Sequence, residues 1–149
     1  TVASNVEFLM QTLGFNEDKL KKIPKTTAAS GGNILTLENG VLEERVNWLN
    51  KRLNLKEHEI QKMTQTFPEI LGLLSDTNLA PKIDYLQTRL LLDEKSLRKI
   101  ILGAPFILFT SEDKLGPKLD YLQRKLLLDE KSLQKIILRA PCVLQYSIE

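Results

Sequence analysis

Apolar residues recur every three or four positions along two neighbouring segments of the chain, which is the spacing of α-helices with one buried face. The first stripe consists of Leu79, Ile83, Leu86 and Leu90. The second consists of Leu97, Ile100, Ile101 and Ala104. The pattern therefore predicts two amphipathic helices, called here the first and the second helix of a unit.

Residues around the stripes predict where these helices begin and end. Pro81 suits the first turn of a helix, where its missing N–H costs nothing. Asp93 is a good N-cap for the second helix. Pro105 is expected to end that helix, because proline in a helix interior costs about 3 kcal/mol. The apolar segment 106–109 is predicted to form a short third helix of the 3₁₀ type.

This unit recurs with a period of about 36 residues, which is typical of stacked helical repeats. Residues 79–113 read LAPKIDYLQTRLLLDEKSLRKIILGAPFILFTSED, and residues 115–149 read LGPKLDYLQRKLLLDEKSLQKIILRAPCVLQYSIE. A more divergent copy begins at Leu42. A partial copy spans Val6–Ile23, and Gly31-Gly32 is expected to form a turn in a longer connection after it. The predicted repeats, numbered 1 to 4, are about 5–40, 41–77, 78–114 and 115–149.

A single unit cannot bury its apolar stripes, whereas stacked units can. We therefore expect an all-α helical-repeat solenoid, formed by a single array over residues 1–149. Each repeat would contain two helices and the short third helix. The chain does not begin with Met and stops soon after a proline segment, which suggests a piece cut from a longer array.

Composition argues against several classes of protein. The net charge is only +2, from 21 Lys and Arg against 19 Asp and Glu, so charge alone does not indicate nucleic acid. The single cysteine excludes an internal disulfide, and one histidine (His58) with one cysteine (Cys142) cannot form a metal cluster. No nucleophile–base pair or phosphate loop is visible, and no apolar run could span a membrane. We therefore expect a monomer without enzyme activity, cofactor, metal or membrane association.

Basic residues repeat in register along the first helices. One ladder consists of Arg45, Lys82 and Lys118, and a second of Arg52, Arg89 and Lys125. The two cations of each helix lie two turns apart on the same side, with an aromatic residue between them: Trp48, Tyr85 or Tyr121. These six cations are the predicted phosphate contacts. The alternative interpretation is that the aromatic rings fill the contact between repeats, with the cation stems packed over them.

A third ladder lies on the second helices, opposite their apolar stripe. It consists of Lys22, Lys62, Lys99 and Lys135. These lysines are either an alternative set of phosphate contacts or an ordinary solvated face. The periodicity alone leaves both sets of helices open as the binding face.

The motifs together resemble the repeat of the mitochondrial transcription termination factor (mTERF) family. The pattern is L-x-P-K-L-x-Y-L, then L-x-L-x-E-x-x-L-x-K-I-I, then P-x-x-L. It is best matched at 79–108 and 115–144, well matched at 42–71 and weakly at Val6–Ile23. The resemblance implies a left-handed α-solenoid whose concave face binds double-stranded nucleic acid. It also implies a role in the gene expression of mitochondria or chloroplasts.

Two functional hypotheses follow. The first is a nucleic-acid-binding factor of transcription termination or regulation, with duplex DNA favoured over structured RNA. The second is a protein-interaction scaffold in organellar ribosome assembly or RNA processing, with ribosomal or transcription proteins as partners. A designed consensus array is a third hypothesis, which the divergence of the upstream repeats disfavours. Salt dependence of binding separates the first two, because phosphate contacts release counterions.

Overall fold

A computed structural model describes residues 2–23, 34–72 and 78–145 of the chain. Within these residues the protein is all-helical and contains no strand, which confirms the all-α part of the predicted fold class. The predicted turn at Gly31-Gly32 lies outside the described residues.

Within the described residues, each predicted repeat contributes two α-helices, and a 3₁₀ helix follows each pair. The α-helices are α1 (Val2–Thr12), α2 (Glu17–Lys21), α3 (Val41–Leu53), α4 (Glu57–Thr66), α5 (Ala80–Arg89), α6 (Glu94–Gly103), α7 (Glu112–Lys125) and α8 (Glu130–Arg139). The 3₁₀ helices are Ile34–Thr36, Pro68–Gly72, Pro105–Phe109 and Pro141–Gln145. Helices α1 and α7 begin ahead of the predicted repeat boundaries, so Pro117 lies inside α7 rather than in its first turn.

Repeat 3 illustrates why these residues form these elements. The side chain of Asp93 accepts a hydrogen bond from the Ser96 N–H, so the predicted N-cap of α6 is confirmed. Both apolar stripes of this repeat are buried. Helix α6 ends before Pro105, and the residues after it form the predicted 3₁₀ helix.

The corner between the first and the second helix has a left-handed residue in all four repeats. These residues are Gly14 (φ +72°), Asn54 (+52°), Leu91 (+53°) and Leu127 (+54°). In repeat 3 the Leu92 N–H donates to the Gln87 carbonyl at 2.9 Å, which is the hydrogen bond of a Schellman C-cap. Glycine usually occupies this position, because other residues are strained there. Repeats 3 and 4 nevertheless carry leucine.

The chain divides into two compact units, Thr1–Leu79 and Ala80–Glu149. Within the second unit, α6 packs against α8 and α7 against α8. Glutamines of the second helices also hold the corner of the preceding repeat. Gln134 donates to the Leu91 carbonyl at 2.8 Å in the second unit, and Gln61 donates to the Thr12 carbonyl at 3.2 Å in the first. Within the second unit, repeats 3 and 4 are therefore in contact through their second helices, whereas within the first unit α1 packs against α3.

Candidate nucleic-acid interface

The first predicted ladder of cations is hydrogen-bonded inside the repeats. Each cation donates to the carbonyl of the leucine that ends the P-x-x-L segment of its own repeat. The pairs are Arg45 Nη1 with Leu71 O, Lys82 Nζ with Leu108 O at 2.7 Å, and Lys118 Nζ with Leu144 O at 2.9 Å. Carbonyls in the last turn of a helix have no partner within that helix. The cations therefore fasten the 3₁₀ helix to the first helix, and we call this contact the tether.

Burial accompanies the tether. The Arg45 residue is only 8% exposed, and burial lowers its guanidinium pKa, an effect that the neighbouring Glu44 opposes. Burial also lowers the pKa of Lys82, which is half-buried like Lys118. A phosphate that contacted these three cations would share them with a backbone carbonyl. Their predicted role in nucleic-acid contact stays a prediction.

Repeat 1 has a tether as well, made by a residue that the sequence analysis did not single out. Asn5 stands in register with Arg45 and is 3% exposed. Its Nδ2 donates to the carbonyls of Leu35 and Leu37, both at 2.8 Å, and so holds the 3₁₀ helix Ile34–Thr36. The partial copy at Val6–Ile23 begins one residue after Asn5, and a ladder defined by charge does not include an amide. Extending the register by one residue would have found it.

The second predicted ladder contains an ion-paired cluster. The guanidinium of Arg89 on α5 lies 3.0 Å from Asp120 on α7 and 2.8 Å from Glu130 on α8. It also donates to the Gln123 side chain at 3.2 Å, and its own side chain is 19% exposed. Arg89 therefore joins repeat 3 to repeat 4, and we call its two ion pairs the clamp. Of the other two members, Arg52 is half-buried and Lys125 is exposed.

Tyr85, the aromatic residue between the two ladders in repeat 3, lies at a contact between repeats 3 and 4. A Cβ placed on Gly116 would lie 3.1 Å from the Tyr85 hydroxyl, so this ring needs the space that glycine leaves on α7. Burial is the main cause that raises the pKa of Tyr85. The position of the Tyr85 ring therefore agrees with the part of the packing interpretation that places it between repeats. Trp48 and Tyr121 are half-buried.

The ladder on the second helices is exposed. Lys22, Lys62, Lys99 and Lys135 all lie at the surface. Three second helices carry another exposed basic residue one turn earlier, which gives the pairs His58–Lys62, Lys95–Lys99 and Lys131–Lys135. Within the described part of the chain, no ion pair or side-chain hydrogen bond engages Lys62 or Lys99. We call these pairs the second-helix basic face; they can reach a phosphate without giving up an internal bond.

The first pair of this face, His58 and Lys62, borders an open groove in the first unit. The groove has a volume of about 370 Å³ and is lined by Lys19, His58, Gln61, Lys62, Gln65 and Thr66. Lys19 donates to the Gln65 side chain, and Gln65 in turn donates to the Leu13 carbonyl at 2.6 Å. The side chain of Gln65 is therefore held in place by hydrogen bonds, and the groove is lined by two lysines, Lys19 and Lys62. Such a lining suits an anion such as a phosphate.

Other kinds of site have no counterpart in the described residues. No group of three or more His, Cys, Asp or Glu side chains there could hold a metal ion. None of the helices described is long and apolar enough to cross a bilayer.

The paired helices, the 3₁₀ helix after each pair and the recurring tethers define the class of this chain: a helical-repeat protein, with exposed lysines on its second helices. The chain belongs to the mTERF family, whose sequence model matches residues 1–149. Proteins of this family act in organellar gene expression in association with nucleic acid. No curated protein matched the sequence.

Proposed function

We propose that this chain is a nucleic-acid-binding factor of transcription termination or regulation in a mitochondrion or chloroplast. It would be a single left-handed solenoid array over residues 1–149, holding duplex nucleic acid, with DNA favoured over structured RNA. The observation that carries the proposal is the second-helix basic face, which is exposed at the same place on α4, α6 and α8.

The energetics of this face favour a polyanionic partner. Two like charges one helical turn apart destabilise an exposed helix by roughly 0.2–0.5 kcal/mol. In repeats 3 and 4 both members of the pair are lysines, and the N-cap carboxylates of Asp93 and Asp129 offset part of their repulsion. A row of phosphates removes the repulsion and releases counterions, which makes binding favourable and strongly dependent on salt.

The six first-helix cations remain the competing candidates for phosphate contact. They are Arg45, Arg52, Lys82, Arg89, Lys118 and Lys125. A phosphate would have to share the tethered cations with a carbonyl and would have to compete with two carboxylates for Arg89. Lys125 is exposed and carries no such cost. We therefore propose that the second helices make most of the phosphate contacts, while the first-helix cations chiefly hold the repeats together.

The scaffold function remains a second candidate, because the nearly balanced charge of +2 favours it. A titration of labelled duplex DNA, duplex RNA and single strands, followed by fluorescence anisotropy at several salt concentrations, distinguishes the two. With three or four phosphate contacts, the log–log slope of duplex DNA binding against salt should be about −3. Absence of binding at low salt, or a slope near zero, would instead favour a protein partner.

A further inference from the structure

A second groove of the first unit lies between its two first helices, α1 and α3, which pack against each other. In the second unit, two side chains of α5, Tyr85 and Arg89, reach across to α7. In register, repeat 1 carries the shorter Phe8 and Thr12 at these positions. The groove that they border has a volume of about 390 Å³, and we call it the first-helix groove. Its lining includes Glu7, Phe8, Thr12, Glu43, Asn47 and Asn50.

The α3 wall of this groove repeats the acceptors that bind a guanidinium in the second unit. There the Arg89 guanidinium donates to Asp120 at 3.0 Å and to the Gln123 side chain at 3.2 Å. In register, Asn47 stands where Asp120 stands, and Asn50 where Gln123 stands. Two side-chain oxygens that can accept hydrogen bonds therefore occupy the same two positions of α3.

The Asn50 side chain is the observation that points to a ligand. Its Oδ1 atom is buried and has no hydrogen-bond partner among the described residues. Buried polar atoms of folded proteins normally have a partner. The terminal torsion of asparagine is broad, so the amide can turn its oxygen toward the groove that it lines. A donor that enters the groove would therefore supply the missing hydrogen bond.

The charge of the groove favours a cationic donor. Glu43 on α3 and Glu7 on α1 are both exposed at the groove, and none of the described residues that line it is Lys or Arg. Gln11 donates to one oxygen of Glu7 at 3.3 Å, and a carboxylate has room for further donors. The lining thus combines amide and carboxylate acceptors, which suit the planar, five-donor guanidinium group and disfavour a phosphate.

We propose that the first-helix groove binds an arginine side chain of a partner protein, as α7 binds Arg89 within this chain. The partner's guanidinium would donate to Asn50 and pair with Glu43, and its stem would enter through the open side of the groove. A volume of about 390 Å³ lies within the range of ligand pockets, about 300–1,000 Å³. The proposal does not depend on nucleic-acid binding, because its site is acidic and lies on the first helices.

Titration of the 149-residue chain with a short acetylated peptide, Gly-Ala-Arg-Ala-Gly amide, tests the site at low salt. The nuclear magnetic resonance signal of the Asn50 side-chain amide should shift and saturate as the peptide is added. The same peptide with lysine in place of arginine should bind roughly tenfold more weakly, since an ammonium lacks the planar fork of donors. No saturable shift of Asn50, or equal affinity for the two peptides, overturns the proposal.

A substitution that supplies the arginine from within the chain completes the test. Thr12→Arg introduces the residue that repeat 3 has at this position, and it should abolish binding of a fluorescently labelled arginine peptide without lowering the midpoint of thermal unfolding. Thr88→Arg is the matched control, because it makes the same substitution at an exposed position of α5, and it should bind like the wild type. Equal binding by Thr12→Arg and Thr88→Arg contradicts the proposal.

A second variant keeps the test decisive if Thr12→Arg does not fold. Asn50→Leu removes the acceptor and leaves an apolar side chain of similar size. It should weaken binding of the labelled peptide roughly tenfold, because a hydrogen bond to a charged group is lost. Circular dichroism first establishes that each variant is as helical as the wild type. Unchanged affinity in a folded Asn50→Leu variant also overturns the proposal.

Discussion

Replacing Lys82 by methionine isolates the tether of repeat 3. Lys82→Met keeps the stem of the side chain and removes the ammonium that donates to the Leu108 carbonyl at 2.7 Å. Leu108 is fully buried, so no water readily replaces the lost donor. The variant should therefore be less stable than the wild type.

Two effects set the size of the loss. A hydrogen bond to a charged group contributes about 1.5–3 kcal/mol to stability. Part of that gain is offset in the folded protein, because burial disfavours the charged ammonium, as the lowered pKa of Lys82 indicates. We therefore expect Lys82→Met to lower the free energy of unfolding by about 1–2 kcal/mol.

Urea unfolding followed by circular dichroism measures the effect, with two matched variants. Lys99→Met makes the same substitution at an exposed position of α6 in the same repeat and should change stability by less than about 0.5 kcal/mol. Lys82→Arg should stay within about 0.5 kcal/mol of the wild type, since Arg45 makes the same tether in repeat 2. If Lys82→Met is as stable as Lys99→Met, the tether does not stabilise the repeat and the reasoning is wrong.

Three further predictions address the core, the corners and the caps. Leu97→Ala should cost about 2–5 kcal/mol in urea unfolding, because this side chain of α6 is fully buried; a loss below about 0.5 kcal/mol would show that the stripe was misassigned. Leu127→Gly should raise the free energy of unfolding by about 0.5–1 kcal/mol, because leucine is strained in the left-handed conformation. The side chain of Leu127 is 91% exposed at φ +54°, so its removal costs little packing. A destabilised variant would refute this. Donation by the Ser96 backbone lowers the pKa of Asp93, and Ser132 does the same for Asp129, so their stabilising contribution is present above the ordinary value of 3.8 and is lost as the pH falls through the folded-state values. Acid titration of Asp93→Asn/Asp129→Asn should accordingly show a smaller loss of stability than the wild type, and an identical acid profile would contradict it.

The sequence predicted the parts of the fold that depend on local pattern. The stripe from Leu79 to Leu90 is buried, and Asp93 and Pro105 bound α6, because periodicity, capping and proline geometry act within a few residues. The left-handed corner at Leu91 was not predicted, because leucine carries no signal for that conformation.

The roles of the cations depend on contacts far apart in sequence. Lys82 donates to the carbonyl of Leu108, which is 26 residues away in the sequence. Arg89 binds the carboxylates of Asp120 and Glu130, which are 31 and 41 residues away. A helical register shows that two cations share one side of a helix, but not which groups other elements bring to that side. This is why the tether and the clamp were visible only in the structure, whereas the exposure of Lys99, opposite the apolar stripe of its own helix, could be predicted locally.

The central claim is that the second helices contact phosphates while the first-helix cations hold the repeats together. The salt dependence of duplex DNA binding tests this claim most directly. The variant Lys62→Gln/Lys99→Gln/Lys135→Gln removes three cations of the second-helix ladder. The variant Arg52→Gln/Arg89→Gln/Lys125→Gln removes the second ladder of the first helices. After both are shown to remain helical, their log–log slopes are compared with that of the wild type. The account predicts that the second-helix variant loses about two to three units of slope, at roughly 0.9 for each phosphate contact, while the first-helix variant keeps its slope. An unchanged slope in the second-helix variant, together with a reduced slope in the first-helix variant, would contradict it.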